Sequence, residues 1–296
     1  MILTSIGYPE YSSPKSKRTY SDHAKVALLV TMEYLGKSFH EFSMLLPSLG
    51  SVMKTARIST VPDESTLRKF RKRLDPKVLS KVLAHMGRMI SGNSLLTVGV
   101  DATGFSTSRA SNYYVVRLKH FGAERGVIRG YTKATFAVCV HTKAILVADA
   151  VDSGPADVRR LEHIVDGLAA ADLEIGYVLA DKGYDAEYAH IMVSERLGAE
   201  ALIPARENSP AKGSSAYRTE GKNRSRMKRE LREGTDLKGT YNMRAISETV
   251  NSMVKRVLGE AVDGRNEGSR HSELMFRCIA HNFRVGMELS SSGMIV

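Results

Sequence analysis

The spacing of apolar residues changes once along the chain, at the turn-rich segment Ser91-Gly92-Asn93-Ser94. Between residues 21 and 92 the apolar residues recur every three or four positions, which predicts helices. From residue 93 onward they occur in short runs bounded by turn residues, and these runs predict strands that alternate with helices. The pattern therefore predicts a small all-helical region at 21–92, followed at 93–296 by an α/β region whose mixed sheet carries flanking helices.

Residues 1–20 are polar, with scattered Lys and Arg, and we expect them to form a flexible arm. In the α/β region we expect a strand that ends at Asp101, a hairpin around His141-Thr142-Lys143 and a short strand that ends at Asp181. The remaining expected elements are strands at Tyr113–Leu118 and Ala201–Pro204 and helices at Asp157–Leu168 and Asp185–Leu197.

The chain is basic, with 43 Lys and Arg residues against 32 Asp and Glu residues and a formal net charge of +11. This charge favours a polyanionic partner, and nucleic acid is the leading candidate because phosphate neutralisation drives affinity there. Two cysteines are too few for a disulfide framework, which favours a reducing cytoplasm. No apolar run approaches the roughly 18 residues that would cross a bilayer, so we expect no membrane association.

Two segments concentrate the positive charge. The helix expected at residues 64–74 is either a DNA recognition helix or an ordinary solvated helix. Its cations are Arg68, Lys69, Arg71, Lys72 and Arg73. The segment at residues 206–240 is rich in Gly and Ser and is expected to be a basic loop, which either contacts phosphates or is solvated. Its candidate DNA-binding residues are Lys222, Arg224, Arg226, Lys228 and Arg229.

Two aspartates each follow a short apolar run. Asp101 follows a Val-Gly-Val run and Asp181 follows a Val-Leu-Ala run. Each is either a turn or cap residue or part of a site, and neighbouring strands would bring the two carboxylates together at one edge of the sheet. Gly183, close behind Asp181, is expected to permit a sharp turn. Asp185 is expected to be a helix cap.

A third carboxylate lies on the helix that we expect from Tyr241 to Gly259. At about 100° per residue, one face carries four polar residues within about 60° of one another. They are Tyr241, Arg244, Glu248 and Lys255. The opposite face carries the apolar residues Ile246, Val250, Met253 and Val257. The polar line is also compatible with a solvated helix face on which Arg244 and Glu248 form a surface ion pair.

The spacing Tyr241-x2-Arg244-x3-Glu248-x6-Lys255, preceded by Asp101 and by Asp181-x-Gly183-Tyr184, resembles the signature of insertion-sequence transposases of the DDE class. The resemblance extends over roughly residues 20–290 and implies a ribonuclease-H-like catalytic core. By position, it implies that Asp101, Asp181 and Glu248 are the catalytic, metal-binding residues. It also implies that Tyr241, Arg244 and Lys255 contact the transposon end. Larger relatives carry a β-rich insertion between the second Asp and the Glu, where this chain has only residues 206–240.

The resemblance also implies an activity. A member of this class would bind the terminal inverted repeats through its helical region at 21–92. With two Mg²⁺ ions per site, for which Mn²⁺ would substitute, it would cleave the element ends and join the 3′-hydroxyl to target DNA. The expected partners are double-stranded DNA and a second copy of the chain, in the cytoplasm of a prokaryote. Two alternatives stay open: a non-mobile nuclease on the same core, and a non-catalytic DNA-binding descendant.

Overall fold

The computed structural model describes most of the chain, and its helices and strands are numbered in chain order. The described residues are 2–13, 15, 17–92, 94–107, 130–152, 157–206, 221–233 and 236–293. The strand expected at Tyr113–Leu118 lies outside them. Within these ranges, no helix combines the length and the apolar composition that crossing a bilayer requires.

The described N-terminal part is helical, as the spacing of its apolar residues predicts. Its α-helices are α1 (Ile2–Ser5), α2 (Asp22–Tyr34), α3 (Phe39–Leu45), α4 (Gly50–Thr55), α5 (Glu64–Arg73) and α6 (Pro76–Ser91). Polar side chains determine where several of them begin. Ser38 and Glu41 form a capping box at α3, and the Asp63 carboxylate accepts a hydrogen bond from the Ser65 amide at α5.

The chain before α2 packs against these helices, so the expectation of a flexible arm is wrong for the described residues between 2 and 13. Leu3, on α1, is 8% exposed and belongs to the main apolar core. The Nε2 atom of His23 lies 2.8 Å from the carbonyl oxygen of Tyr8, and the Asp22 carboxylate accepts a hydrogen bond from the Ser12 amide. The few apolar residues among the polar ones provide enough surface to dock the segment.

Beyond residue 95, strands and helices alternate as the sequence predicts. The elements are β1 (Leu96–Ser106), β2 (Tyr131–Cys139), β3 (Ile145–Asp152), α7 (Asp157–Ala170), β4 (Ile175–Ala180), α8 (Glu187–Leu197), β5 (Glu200–Leu202), α9 (Lys222–Arg232), α10 (Asp236–Asn242), α11 (Ala245–Leu258) and α12 (Glu267–Ser291). The strand order is β3-β2-β1-β4-β5, with antiparallel pairing from β3 to β1 and parallel pairing from β1 to β5. This mixed sheet with flanking helices confirms the expected fold class.

Strand β1 is longer than its apolar run indicates. It continues through Asp101 to Ser106 because β2 provides antiparallel partners along the whole stretch, and Asp101 pairs with Phe136. The parallel pairing with β4 stops one residue earlier, at Val100 and Ala180. Asp101 therefore lies in the middle of a strand rather than at its end, at the level where β4 leaves the sheet.

Helices bury both faces of the sheet. On one face, α7 and α8 form a core with β1, in which Leu161 packs with Val100 and its neighbours. On the other face, Phe136 belongs to a core that includes residues of α11 and α12 and also residues of the N-terminal helices, among them Leu28 and Leu67. The helical region and the sheet region therefore share one apolar core across the expected boundary at residues 92 and 93.

Four largely buried charged side chains also link the N-terminal helices to α12. We call them the ionic network: Glu33, Arg71, Glu273 and Arg277. Glu33 of α2 and Arg71 of α5 are 2.9 Å apart, and Glu273 and Arg277 of α12 are 2.6 Å apart. Arg71 also lies 3.8 Å from Glu273, and Arg277 lies 3.7 Å from Glu33. Burial raises the pKa of Glu33, although both arginines oppose the rise. Arg277 also donates hydrogen bonds to the carbonyl oxygens of Gly259 and Ala261, directly after α11.

The segment at residues 206–240, which we expected to be a basic loop, contains α9 and the beginning of α10. The expectation of a loop is therefore wrong for the residues in these two helices. Met227 of α9 is fully buried against the sheet. The Glu187 carboxylate accepts hydrogen bonds from amides of the first turn of α9, among them that of Arg224. Only Met227 and Leu231 give α9 an apolar stripe, which is too little to identify a helix in so polar a sequence.

Candidate active site

Asp101 and Asp181 come from neighbouring parallel strands. The last parallel pair of β1 and β4 is Val100 with Ala180, and an aspartate follows in each chain segment. Asp181 directly follows β4, and its Oδ1 accepts a hydrogen bond of 2.7 Å from the amide of Gly183 in a single 3₁₀ turn. The register therefore places the two aspartates side by side at this edge, although only Asp181 lies at a strand end.

Gly183 is required by space rather than by backbone conformation. Its φ angle is not among the positive ones, so the turn itself does not demand glycine. A Cβ atom at this position would lie 2.7 Å from Oδ1 of Asp181 and 3.4 Å from Oδ2 of Asp157. The turn expected behind Asp181 is therefore present, and the glycine in it leaves room for two carboxylates.

The third carboxylate, that of Glu248, lies on α11, which packs closely against β1. Ser247 is fully buried, and its Cβ would lie 3.3 Å from a Cβ atom built on Gly99 of β1. This close approach puts the first turn of α11 beside the strand that carries Asp101. The side chain of Glu248 is 56% exposed, so it lies at the edge of this contact.

The polar line expected on one continuous helix is divided between two helices. Tyr241 lies on α10, and Arg244 lies between α10 and the first residue of α11. The buried face of α11 consists of Ser247, Val250, Asn251, Val254 and Leu258. Val257, which we assigned to the apolar face of the expected helix, is 41% exposed. The expectation of one helix from Tyr241 is therefore wrong. The spacing of apolar residues does not reveal the turn before α11, and it does not reveal that polar residues lie on the buried face.

The other two carboxylates act electrostatically on Asp101. Burial raises the pKa of Asp101 to about 6, and the negative charges of Asp181 and Glu248 contribute to the rise. A hydrogen bond from the Ala102 backbone and the positive charge of Arg244 oppose it. Carboxylates crowded in this way favour the binding of a proton or a cation.

The side chain of Glu248 is held by Arg244, whose Nη2 atom lies 2.8 Å from Oε1 of Glu248. Tyr241 is hydrogen-bonded to the same arginine, and burial raises its pKa. Among the residues that the structure describes, no group of three or more His, Cys, Asp or Glu side chains is arranged as a metal site. Carboxylate oxygens are nonetheless the donors that a hard divalent cation prefers. The side chains of Asp101, Asp181 and Glu248 supply oxygens of this kind.

Sequence reasoning missed Asn251, which lies about one turn after Glu248 on α11. Asn251 is 6% exposed, and its Nδ2 donates a hydrogen bond of 2.8 Å to Oδ2 of Asp101. Its Oδ1 is buried and has no hydrogen-bond partner among the described residues. The available signal was its position three residues after Glu248, since residues with this spacing are neighbours on a helix surface.

A further polar group adjoins Asp181. Asp157, at the start of α7, forms an ion pair with Lys133 of β2. The nearby phenol of Tyr184 is 1% exposed, and its pKa is raised by burial and by the charges of Asp157, Asp101 and Asp181. No spacing in the sequence connects Asp157 or Lys133 with the two aspartates, because the sheet brings them together from separate elements.

Lys255 lies on α11 two turns beyond Glu248. Its ammonium group is 5.5 Å from the ring centroid of Phe105, which lies on β1 beyond Asp101. A cation–π contact of this kind holds the lysine against the strand. Glu248 and Lys255 are therefore both on α11 and both beside β1.

The cations of α5 fall into two groups. Four of them are exposed: Arg68, Lys69, Lys72 and Arg73. Arg71 instead belongs to the ionic network, and its side chain is 12% exposed and 2.9 Å from Glu33. It follows buried Leu67 by four residues, so it shares the face of α5 that is turned to the core. The expectation that Arg71 faces DNA is wrong, because cations spread over these positions cannot all lie on one face.

The cations of α9 also differ from one another. Lys222, Lys228 and Arg229 are exposed. Arg224 donates two hydrogen bonds of 2.6 Å to the fully buried carboxylate of Asp185, and Arg226 pairs with Glu200 of β5. Asp185 is therefore an ion-pair partner and not the expected cap of α8, whose N-cap is Ala186. Arg224 fastens α9 to the sheet region, whereas the side chain of Arg226 is still 46% exposed beside Glu200.

Comparison with known proteins identifies the family. Residues 95–283 match the family model for the transposase DDE domain. This range includes Asp101, Asp181 and Glu248 as well as Asn251. No curated protein matches the chain significantly. Members of the matched family bind DNA and generally use divalent metal ions. On the basis of this match and of the mixed sheet that carries the carboxylates, the chain belongs to the family of transposases with a DDE domain.

Proposed function

We propose that the protein binds the terminal inverted repeats of an insertion sequence, cleaves the element ends and joins the freed 3′-hydroxyl to target DNA. The observation that carries the proposal is the convergence of three carboxylates. Asp101 and Asp181 stand on adjacent parallel strands, and Glu248 lies on a helix packed against the first of them. The contribution of Asp181 and Glu248 to the raised pKa of Asp101 supports their proximity.

The three carboxylates would hold two Mg²⁺ ions, for which Mn²⁺ would substitute, and Asp101, as the neighbour of both others, is suited to contact both ions. When bound, the ions stabilise the charge that develops on the attacking and leaving oxygens of an in-line displacement. Without cations, the carboxylates would repel a phosphodiester, since like unit charges about 4 Å apart repel by about 4 kcal/mol at an effective dielectric near 20. The role of the chain is to hold these oxygen ligands together.

Arg244, Lys255 and Tyr241 would bind the transposon end. Arg244 would exchange the Glu248 carboxylate for a DNA phosphate, which its planar guanidinium can bind through two hydrogen bonds. Lys255 would hold a phosphate as a point charge beside β1. Tyr241 would stack on a base or bond a phosphate.

Two exposed basic surfaces would position the duplex. The first, on α5, consists of Arg68, Lys69, Lys72 and Arg73. The second, on α9, consists of Lys222, Lys228 and Arg229. Exposed cations on short helices supply the sequence-independent part of DNA affinity by neutralising phosphates. A reaction that joins two element ends also requires two active sites to meet, so we propose that a homodimer forms on DNA.

The experiment that tests the proposal is a cleavage and strand-transfer assay on DNA that carries the native flanking ends. The expected products are cut element ends and joined target DNA, formed with Mg²⁺ and lost in chelator or in the Asp181→Asn variant. Full activity in excess chelator would exclude the mechanism. Cleavage without joining would identify a non-mobile nuclease, and binding without cleavage would identify a non-catalytic DNA-binding protein.

A further inference from the structure

Asn251 joins the two elements that carry the first and third carboxylates. From α11, its Nδ2 donates a hydrogen bond of 2.8 Å to Oδ2 of Asp101 on β1. Glu248 stands three residues earlier on the same helix, and Ser247 packs against Gly99 of the same strand. A single side chain therefore bridges helix and strand at the level of the candidate site.

Burial of the Asn251 amide is unfavourable unless hydrogen bonds replace those that the amide makes with water. The residue is 6% exposed, and its Oδ1 has no hydrogen-bond partner among the described residues. A buried acceptor without a partner destabilises a fold, and Val250 and Val254 show that aliphatic residues suit this face of α11. The hydrogen bond also fixes the orientation of the amide, because only its NH₂ group can donate to a carboxylate.

We infer that Asn251 is a positioning residue that prepares Asp101 to bind a divalent cation. Its hydrogen bond to Oδ2 holds the carboxylate in one orientation and leaves Oδ1 and the remaining lone pairs available to the ion. A neutral amide orients the carboxylate without neutralising it, whereas a lysine at this place would compete with the cation. Groups that hold a metal ligand in this way typically alter metal affinity or activity about 10- to 100-fold. The inference rests on the proposed function, because it takes Asp101 to be a metal ligand.

The test is the affinity of the full-length protein for Mn²⁺ in the absence of DNA, measured by electron paramagnetic resonance of the free ion. The variant is Asn251→Leu, which keeps a side chain of similar size and removes the donor. The matched control is Asn282→Leu, because Asn282 is also fully buried and its amide bonds the backbone of Ile145 at 2.7 and 2.8 Å. Thermal unfolding of both variants reports the purely structural effect of losing a buried amide.

The expected result is that Asn251→Leu weakens Mn²⁺ binding about 10- to 100-fold, while Asn282→Leu lowers the melting temperature and binds Mn²⁺ like the wild type. Equal affinity of Asn251→Leu and wild type, or an equal loss in both variants, would overturn the inference and leave the proposed function standing. If the wild type binds no Mn²⁺, or if Asp181→Asn binds it equally well, the proposed metal site fails and the inference fails with it. If Asn251→Leu does not unfold cooperatively, the Asn251→Ala variant, which also lacks the donor, takes its place. Its Mn²⁺ affinity is then compared with that of the wild type in the same way.

Discussion

The guanidinium of Arg244 lies 2.8 Å from the carboxylate of Glu248, and its charge also opposes the rise in the pKa of Asp101. One cation of the protein therefore compensates two of the three candidate metal ligands. A divalent cation and a DNA phosphate would separate these roles, since the cation would take the carboxylates and the phosphate would take the arginine. The arrangement explains why the carboxylates converge without forming a closed metal site among the described residues.

The Glu248→Gln variant tests the third metal ligand. Glutamine keeps the shape of the side chain but removes the charge that a divalent cation needs. We expect binding of element ends to stay nearly unchanged and cleavage to fall by more than about 100-fold. Gel-shift and cleavage assays measure the two effects, with the exposed Glu195 changed to Gln as the matched control. Cleavage by Glu248→Gln at the wild-type rate would refute the metal role.

The charge on Asp101 is expected to destabilise the metal-free protein. Burial and two neighbouring carboxylates raise its pKa to about 6, so between about pH 4 and 6 the folded state binds more protons than the unfolded state. The free energy of unfolding that the protonated Asp101 carboxyl contributes is therefore lost as the pH rises from about 4 to about 6. Because the residue is only partly buried, we expect Asp101→Asn to raise the free energy of unfolding at pH 7 by about 1–2 kcal/mol.

Chemical denaturation in chelator, repeated between pH 4 and pH 8, measures this effect. The variant should also lose the part of the pH dependence that falls between about pH 4 and 6. Asp152→Asn is a suitable control, because hydrogen bonding with Arg270 lowers the pKa of that carboxyl and its replacement should destabilise. A variant Asp101→Asn that is no more stable than the wild type would contradict the prediction.

Arg71 and Lys72 are adjacent in α5 but are expected to have opposite roles. Arg71→Ala leaves Glu33 and Glu273 poorly exposed and without one of their partners, which should cost about 3–5 kcal/mol of stability. Lys72→Ala is exposed and should change stability by less than about 0.5 kcal/mol. It should instead weaken DNA binding and reduce the slope of log affinity against log salt by about 0.9. Denaturation and salt-dependent binding measurements distinguish the two, and a large loss of stability in Lys72→Ala would contradict the assignment.

The basic surface of α9 is tested by its salt dependence. Changing Lys222, Lys228 and Arg229 together to Ala should reduce the magnitude of the same slope by about 2.7, if each neutralises one phosphate. Arg196→Ala is the control, since Arg196 pairs with Glu162 and Asp166 on the exposed side of α7. An unchanged slope in the triple variant would show that α9 does not contact the duplex.

Local signals in the sequence were sufficient for most of the fold. The capping residues before α5 and the apolar run before Asp181 each determine structure within a few residues, so the helix and the strand end were predictable. The position of Asp101 within its strand was not, because β1 extends only where β2 provides partners from a distant segment. Long-range pairing, and not local propensity, determines where such a strand ends.

The candidate site was predictable as a set of residue types and not as a set of contacts. The spacing from Tyr241 to Lys255 indicated the line of polar residues. It did not indicate that α11 packs against β1, where Ser247 meets Gly99 and buried Asn251 bonds Asp101. Likewise, the charge of Arg71 gave no indication that it would be buried, because its partners Glu33 and Glu273 are far away in the sequence. Charged residues become structural through tertiary partners that a sequence pattern does not show.

The ionic network has a consequence for the distance along the DNA between the bound sequence and the bond that is cleaved. Arg71 of α5 and Arg277 of α12 share the same two carboxylates, and Arg277 also holds the backbone that follows α11. Together with the shared apolar core, these bonds connect the helix proposed to contact the duplex with the helix that carries Glu248. The number of base pairs between the bound sequence and the cut phosphodiester would then be a constant of the fold, and a longer or shorter spacer would place the wrong bond over the carboxylates.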